Sequence, residues 1–230
     1  MADKLNLKNV TLFCIDDIST QKSSELLESV SSQISFGDVK LFSSRDEQYV
    51  TNKLNKPINS LHDYSVFAVR DLKNYIDTEF AMCVQRDGYP LNIAAWKDNF
   101  LKYDYIGAPW LWVPVGHRSL NCPTGRCVGN GGFSIRSKKI MEEASNYAHL
   151  LQVSRDKASL KHKIADTEDK ENEDVFICRT IGKQLQSVGI KFAPAELAHF
   201  FSVENMMYTG QFGFHGKNTM ELNKKIGLFK

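Results

Sequence analysis

The apolar run Val-Thr-Leu-Phe-Cys-Ile at positions 10–15 stops abruptly at Asp16-Asp17. A β-rich run that ends in carboxylates reads as a strand with a polar carboxyl end. Helical spacing from Ser19 to Gln33 and the strand-like Asp38-Val-Lys-Leu-Phe42 come next, so the chain opens with a βαβ unit. Apolar residues at Tyr64, Phe67, Val69, Leu72 and Ile76 then recur at helical spacing, and Glu79 to Gln85 reads as a second buried strand ending at Arg86-Asp87-Gly88. Residues 93–101 read as a short helix, 103–110 as a strand with a Pro- and Gly-bounded turn, and 129–144 as loop, strand and helix. Another helix follows from Val175 to about Gly189, then a strand at 191–194. This alternation predicts an α/β fold, a mostly parallel sheet with helices on both faces.

A chain of 230 residues with 42% hydrophobic content can bury a core of this kind as a single domain over 1–230. The charged stretch 155–172 reads as a solvated helix or mobile loop within it. Lys and Arg total 29 against 27 Asp and Glu, a net charge of +2 that gives no reason to expect a nucleic-acid partner. The apolar runs are too short for a membrane span and the first residues lack a signal-peptide pattern, so a cytoplasmic protein is expected. Of the five Cys, Cys14, Cys83 and Cys178 lie in apolar runs as small core residues. Cys122 and Cys127 have a spacing open to a disulfide or half a metal site, with a surface loop as the plainer reading.

Open α/β sheets bind ligands beyond the carboxyl ends of their strands, and three groups of residues fall there. Asp16 is placed to contact a donor, with a helix-capping role for Asp17 or its neighbours as the alternative. Strand alternation puts Gln85 and Asp87 on one face, where a single carboxylate plus substrate phosphates can hold a hard cation; Asp-Gly is also ordinary turn chemistry. Gly129-Asn130-Gly131-Gly132 offers close backbone approach but matches neither the Walker A nor the dinucleotide fingerprint. Glu173-Asp174 opens a helix, a place for either a helix-dipole carboxylate or a general base. His215, framed by Phe and Gly, is a lone imidazole, structural or a late metal ligand.

In order, VTLFCIDD, YSVFAVRDLKNYI, QRDGYPLNIAAWKDNFLKYDYIGAPW, VGNGGFSIRSKKI, EDVFICRTIGKQLQSVGIKFAPAELAHFFSVE and FGFHG cover nearly the whole chain. This series resembles a microbial family of glycosyltransferase-like domains of formerly unknown function. It is similar in plan to GT-A glycosyltransferases, and more distantly resembles the animal β-1,4-galactosyltransferases. The resemblance implies a GT-A-like, Rossmann-type domain that moves a hexose from a nucleoside diphosphate sugar to a glycan or lipid-linked acceptor hydroxyl. Asp174 would be the base of an inverting transfer, with Glu173 beside it holding the acceptor or raising its pKa. Asp16, Gln85 and Asp87 would meet the donor, while Asp87 and His215 would hold a divalent Mn or Mg ion. Gly131 and Gly132 would admit the sugar or acceptor, and Trp110, with Trp112, would stack on a sugar ring. One departure stands out: Gln85 occupies the first place of the Asp-x-Asp motif, which leaves a non-catalytic glycan- or nucleotide-binding module as the alternative.

Overall fold

The computed structural model describes residues 4–110, 127–151, 172–225 and 227. The expectations for Trp112, Cys122 and the charged stretch up to residue 171 lie outside the described residues. In chain order the strands are β1 (Leu5–Ile15), β2 (Ile34–Ser43), β3 (Asn52–Lys53), β4 (Phe80–Cys83), β5 (Gly88–Pro90), β6 (Tyr105–Gly107), β7 (Pro109–Trp110), β8 (Cys127–Val128), β9 (Ser134–Ser137), β10 (Ser202–Glu204) and β11 (Gly213–His215). Six of them form a sheet in the order β3-β2-β1-β4-β9-β6. Neighbours from β3 to β4 pair in parallel, whereas β9 runs antiparallel to both β4 and β6. The fold is therefore α/β around a mixed sheet.

The opening βαβ unit has a compact cause. Helix α1 (Thr20–Gln33) buries Thr20, Ser23, Leu27 and Val30, a stripe at helical period, and passes directly into β2 at Ile34. Ser23, fully buried, is small enough to lie close to the sheet. Alternation along β1 and β4 then divides the interior between two cores. Leu12, Cys14, Met82 and Val84 pack with Leu27 and Val30 of α1, while Phe13, Ile15, Ala81 and Cys83 pack with Phe67, Ala68 and Leu72. Helical segments thus cover both faces of the sheet. Each fully buried large apolar side chain contributes roughly 1.5–3 kcal/mol to folding.

The helix expected over Tyr64–Ile76 is instead built in three pieces: α2 (Leu61–Val66), a π turn at Phe67–Asp71 and a 3₁₀ turn at Leu72–Tyr75. Ser60 starts it, its hydroxyl accepting from the Asp63 N–H at 3.1 Å and donating to the Asp63 carboxylate at 2.7 Å. The helix expected from Val175 to Gly189 is broken in the same way. Glu173–Val175 forms a short helical turn, Phe176–Thr180 a π turn and Gly182–Ser187 a helix. Gly189 ends it in the left-handed conformation, with φ of 83°. Residues 93–101 form 3₁₀ turns rather than one helix, and Phe192 in place of a full strand makes a single bridge to Tyr105.

A smaller sheet, β10-β11-β5, stands beside the main one and is decisive for the site. It places His215 between Glu204 and Gly88 in register. Cys14, Cys83 and Cys178 are free and buried. Among the described residues no helix is long and apolar enough to cross a membrane.

Candidate functional site

The first strand delivers two carboxylates to its carboxyl end, and both are used by the protein itself. Asp16 Oδ1 accepts the N–H groups of Ile18 and Ser19 at 2.7 and 3.0 Å, and Oδ2 accepts the Ser23 hydroxyl at 2.6 Å. It is thus Asp16, not Asp17, that organises the start of α1. Arg86 lies 3.8 Å from Asp16 Oδ2. Asp17 accepts Ser43 Oγ, the Ser44 N–H and Oγ, and the Ile58 N–H, at 2.5–3.0 Å. Burial works against its charge, but these four bonds hold its pKa below the usual carboxylate value. Asp16 still lines the cleft described below, as an orienting group whose oxygens are already committed.

Strand β4 ends at Cys83, two residues short of Gln85. Gln85 and Gly88 exchange both backbone bonds, at 2.8 and 2.9 Å, so Arg86-Asp87 forms the tip of a tight hairpin. Strand alternation does not apply there: Gln85 borders both of the hollows described below, and Asp87 only one of them. The Gln85 amide donates from Nε2 to the Tyr64 hydroxyl at 3.2 Å, which turns Oε1 toward Gly132. Asp87 is half-buried, and its backbone carbonyl accepts the Gly216 N–H at 2.7 Å. This bond ties the hairpin to the residue after His215.

His215 Nδ1 lies 3.2 Å from Glu204 Oε1, which fixes the ring and leaves Nε2 directed at Gly132. Burial disfavours its charge, yet the bonded Glu204 carboxylate, with Asp87 and Asp174 nearby, raises its pKa above the ordinary histidine value. Gly88 is required here for space, since a Cβ at that position would meet the imidazole.

The glycine turn brings in the remaining groups. Asn130 carries the left-handed backbone, φ 68°, while Gly131 and Gly132 have negative φ. What these two glycines provide is room, and protein atoms fill it. The Glu173 carboxylate occupies the place of a Cβ on Gly131, and His215 Nε2 with Gln85 Oε1 crowd the place of a Cβ on Gly132. Asp174 Oδ2 accepts the Gly131 N–H at 3.0 Å and Oδ1 accepts the Val175 N–H at 2.7 Å. Asp174 is only 9% exposed. Burial first, and then the neighbouring Glu173 charge, raise its pKa to about 6, partly offset by the two N–H bonds. Glu173 points inward and pairs with Arg136 at 2.9 Å.

These segments enclose a cleft of about 430 Å³ whose walls include Asp16, Tyr64, Gln85, Gly131, Gly132, Glu173, Asp174 and His215. Asp87 opens instead into an adjoining hollow of about 500 Å³, with Arg86 and Lys217, that shares Asp16 and Gln85 with the first. Trp110 lines neither. Its ring covers Gly129 and stacks under the Arg179 guanidinium, 4.3 Å from Cζ to the ring centroid. Among the described residues no three His, Cys, Asp or Glu side chains are grouped to hold a metal. Asp87 and His215 stand on hydrogen-bonded segments but line different hollows, so each is a single candidate contact, one carboxylate and one imidazole. Only a donor diphosphate reaching both hollows would complete the shell of a divalent ion between them.

Sequence reading passed over Tyr64, Arg136 and Glu204. Arg136 did carry a signal, a lone cation within the short buried strand Ser134–Ser137. Glu204 carried none, because only the pairing of β10 with β11 brings it to His215.

A family model described as "Protein of unknown function (DUF5672)" matches residues 48–215, most of the chain, and the chain belongs to that family. No curated protein matches the chain.

Proposed function

We propose that this DUF5672 member is a GT-A-like glycosyltransferase that moves a hexose from a nucleoside diphosphate sugar to an acceptor hydroxyl, with inversion at the anomeric carbon. The observation that carries the reading is Asp174: a carboxylate at the wall of a cleft beyond the strand ends, with a pKa raised to about 6. A base of this kind is half-ionised near pH 6, mostly ionised at neutrality, and retains a useful affinity for a proton. The resemblance to GT-A enzymes supplies the reaction class.

In this reading the acceptor hydroxyl attacks the anomeric carbon while its proton passes to Asp174. The bond from that carbon to the donor's diphosphate breaks, and the nucleoside diphosphate leaves with the electron pair. Asp174 oxygens already accept from Gly131 and Val175, and each retains a lone pair for the incoming proton. Gln85 Oε1 and His215 Nε2 offer polar contacts to the donor on the Gly132 side. A divalent Mn or Mg ion held by Asp87 and His215 would neutralise charge on the departing diphosphate. The acceptor is a glycan or a lipid-linked hydroxyl, and a cytoplasmic setting accords with such a donor.

Turnover of a panel of UDP, GDP and TDP sugars, with and without Mn²⁺, tests the proposal. Transfer or donor hydrolysis is expected, and wild-type rates in both Asp174→Asn and Asp87→Ala would refute these roles. The second reading is a glycan- or nucleotide-binding module without catalysis. The amide at Gln85, fixed by Tyr64 where the Asp-x-Asp motif has a carboxylate, favours it. Calorimetry that finds nucleotide-sugar binding while no product forms would select that module.

A further inference from the structure

Among the described residues, Arg136 is the largest fully buried side chain, 1% exposed. Among the described residues, Nη2 of its guanidinium has a hydrogen-bond partner, Glu173 Oε1 at 2.9 Å, while Nε and Nη1 have none. The Tyr105 ring lies alongside, its centroid 5.7 Å from Cζ. A buried cation compensated by one bond is a poor device for stability, because the desolvation of two charges is barely recovered. Position gives it a better explanation.

Arg136 lies on β9, between Ala81 of β4 and Tyr105 of β6 in register. Glu173 begins the helical turn that carries Asp174, and the Glu173 carboxylate and Arg136 Nη2 both press on Gly131. Gly131 in turn donates its N–H to Asp174. The sheet, the glycine turn and the helix start therefore meet at one ion pair. The turn that follows is a π turn, Phe176–Thr180, a distortion frequent beside functional sites.

We infer that Arg136 is a positioning residue for the proposed base: through Glu173 it fixes the start of the Asp174 helix against the Gly131 turn and keeps Asp174 aimed at the cleft. The inference rests on the reading of Asp174 as base, and it adds a second effect through charge. The groups around Asp174 are Glu173 beside it, Tyr105 on β6, Cys178 and Arg179 in the π turn, Glu204 on β10 and His215 on β11, and after burial Glu173 acts on it most strongly. Arg136 is the cation paired with Glu173, so its removal changes the field that Glu173 exerts at Asp174.

The test is a ¹³C-carboxyl NMR titration of aspartate-labelled protein, with Asp174 assigned from Asp174→Asn. In Arg136→Met the Asp174 midpoint should move away from about 6, and in Arg136→Lys it should stay near wild type. The neutral double variant Arg136→Met with Glu173→Leu leaves neither charge buried alone, so it folds even where the single variant does not. There the Gly131 amide should lose hydrogen-exchange protection while the melting temperature holds. An unmoved Asp174 midpoint in folded Arg136→Met, or an unchanged Gly131 amide in the double variant, would overturn the inference. Both readouts need no substrate. If wild-type protein turns over no UDP, GDP or TDP sugar, the transferase reading fails while the titration still decides what Arg136 does.

Discussion

The carboxylate of Glu173 fills the space that any side chain at position 131 would need. The glycine-rich segment is therefore a socket for a protein carboxylate before it is an opening for a ligand. Gly131→Ala must displace Glu173, and with it the Arg136 pair and the Gly131 N–H bond to Asp174. A destabilisation of about 1–3 kcal/mol is expected from overpacking of this kind. Thermal melting with donor turnover measured in parallel checks it, and wild-type values in both would contradict the packing described.

Asp174→Asn should separate activity from stability. Loss of a general base lowers turnover by roughly 10²–10⁴-fold. The folded pKa of Asp174, about 6, is above its unfolded value, so the native state binds the proton more tightly and ionisation costs stability as pH rises toward about 6. The asparagine variant escapes that cost. It also keeps one acceptor oxygen where Asp174 uses two, for the Gly131 and Val175 N–H groups, so at pH 7.5 the two effects oppose and turnover should fall far more than melting temperature. A marked drop in melting temperature with little loss of turnover would mean that the carboxylate is chiefly structural.

The same linkage gives an acid limb to the pH–rate profile. Turnover should rise with pH through a midpoint near 6 as Asp174 loses its proton. A profile flat from pH 5 to 8 would remove Asp174 from the role.

Asp17 has the opposite sign. Its folded pKa is depressed, so its contribution is complete above the unfolded value of 3.8 and is lost as pH falls through the folded one. Asp17→Asn should destabilise the protein at neutral pH and lose that deficit in acid. Chemical denaturation at pH 7 and pH 3 reads this directly; an equal deficit at both would count against it.

Cys83 is pushed up to about 12 and Cys14 higher still, mainly by burial, with Cys178 raised for the same reason. Only thiolates react readily, so these three sites should resist iodoacetamide in the native protein and label once it is unfolded. Site-resolved mass spectrometry makes the comparison.

The first βαβ unit was legible because its signals are local: a β-rich run, a helical stripe from Thr20 to Val30 and an acidic stop. Gln85 to Gly88 was misjudged for a physical reason. Alternation along β4 was extended through Asp87, but the hairpin ends the strand first, and Asp-Gly was the local signal for it. Residues 129–132, 173–174 and 215 could be singled out as polar or glycine-rich interruptions. The resemblance put them in one site, but the residues alone did not, since the placing of His215 depends on β5 pairing with β10 and β11, strands more than a hundred residues further on. Glu204 emerges only from that pairing, whereas Arg136, on β9 of the main sheet, showed itself only as a lone cation in a buried strand.

The π turns at Phe67–Asp71 and Phe176–Thr180 each follow a helical segment that walls the cleft. A π turn holds one residue more than regular winding needs, so each is a place where chain length and side-chain direction are coupled. Removing one residue from Phe176–Thr180 would let the helix close into ordinary α winding and swing everything before it by about 100° around the axis. Asp174 would then leave the cleft with its chemistry intact and its bearing lost. The count of residues between Asp174 and Gly182, as much as their identity, sets where this carboxylate points.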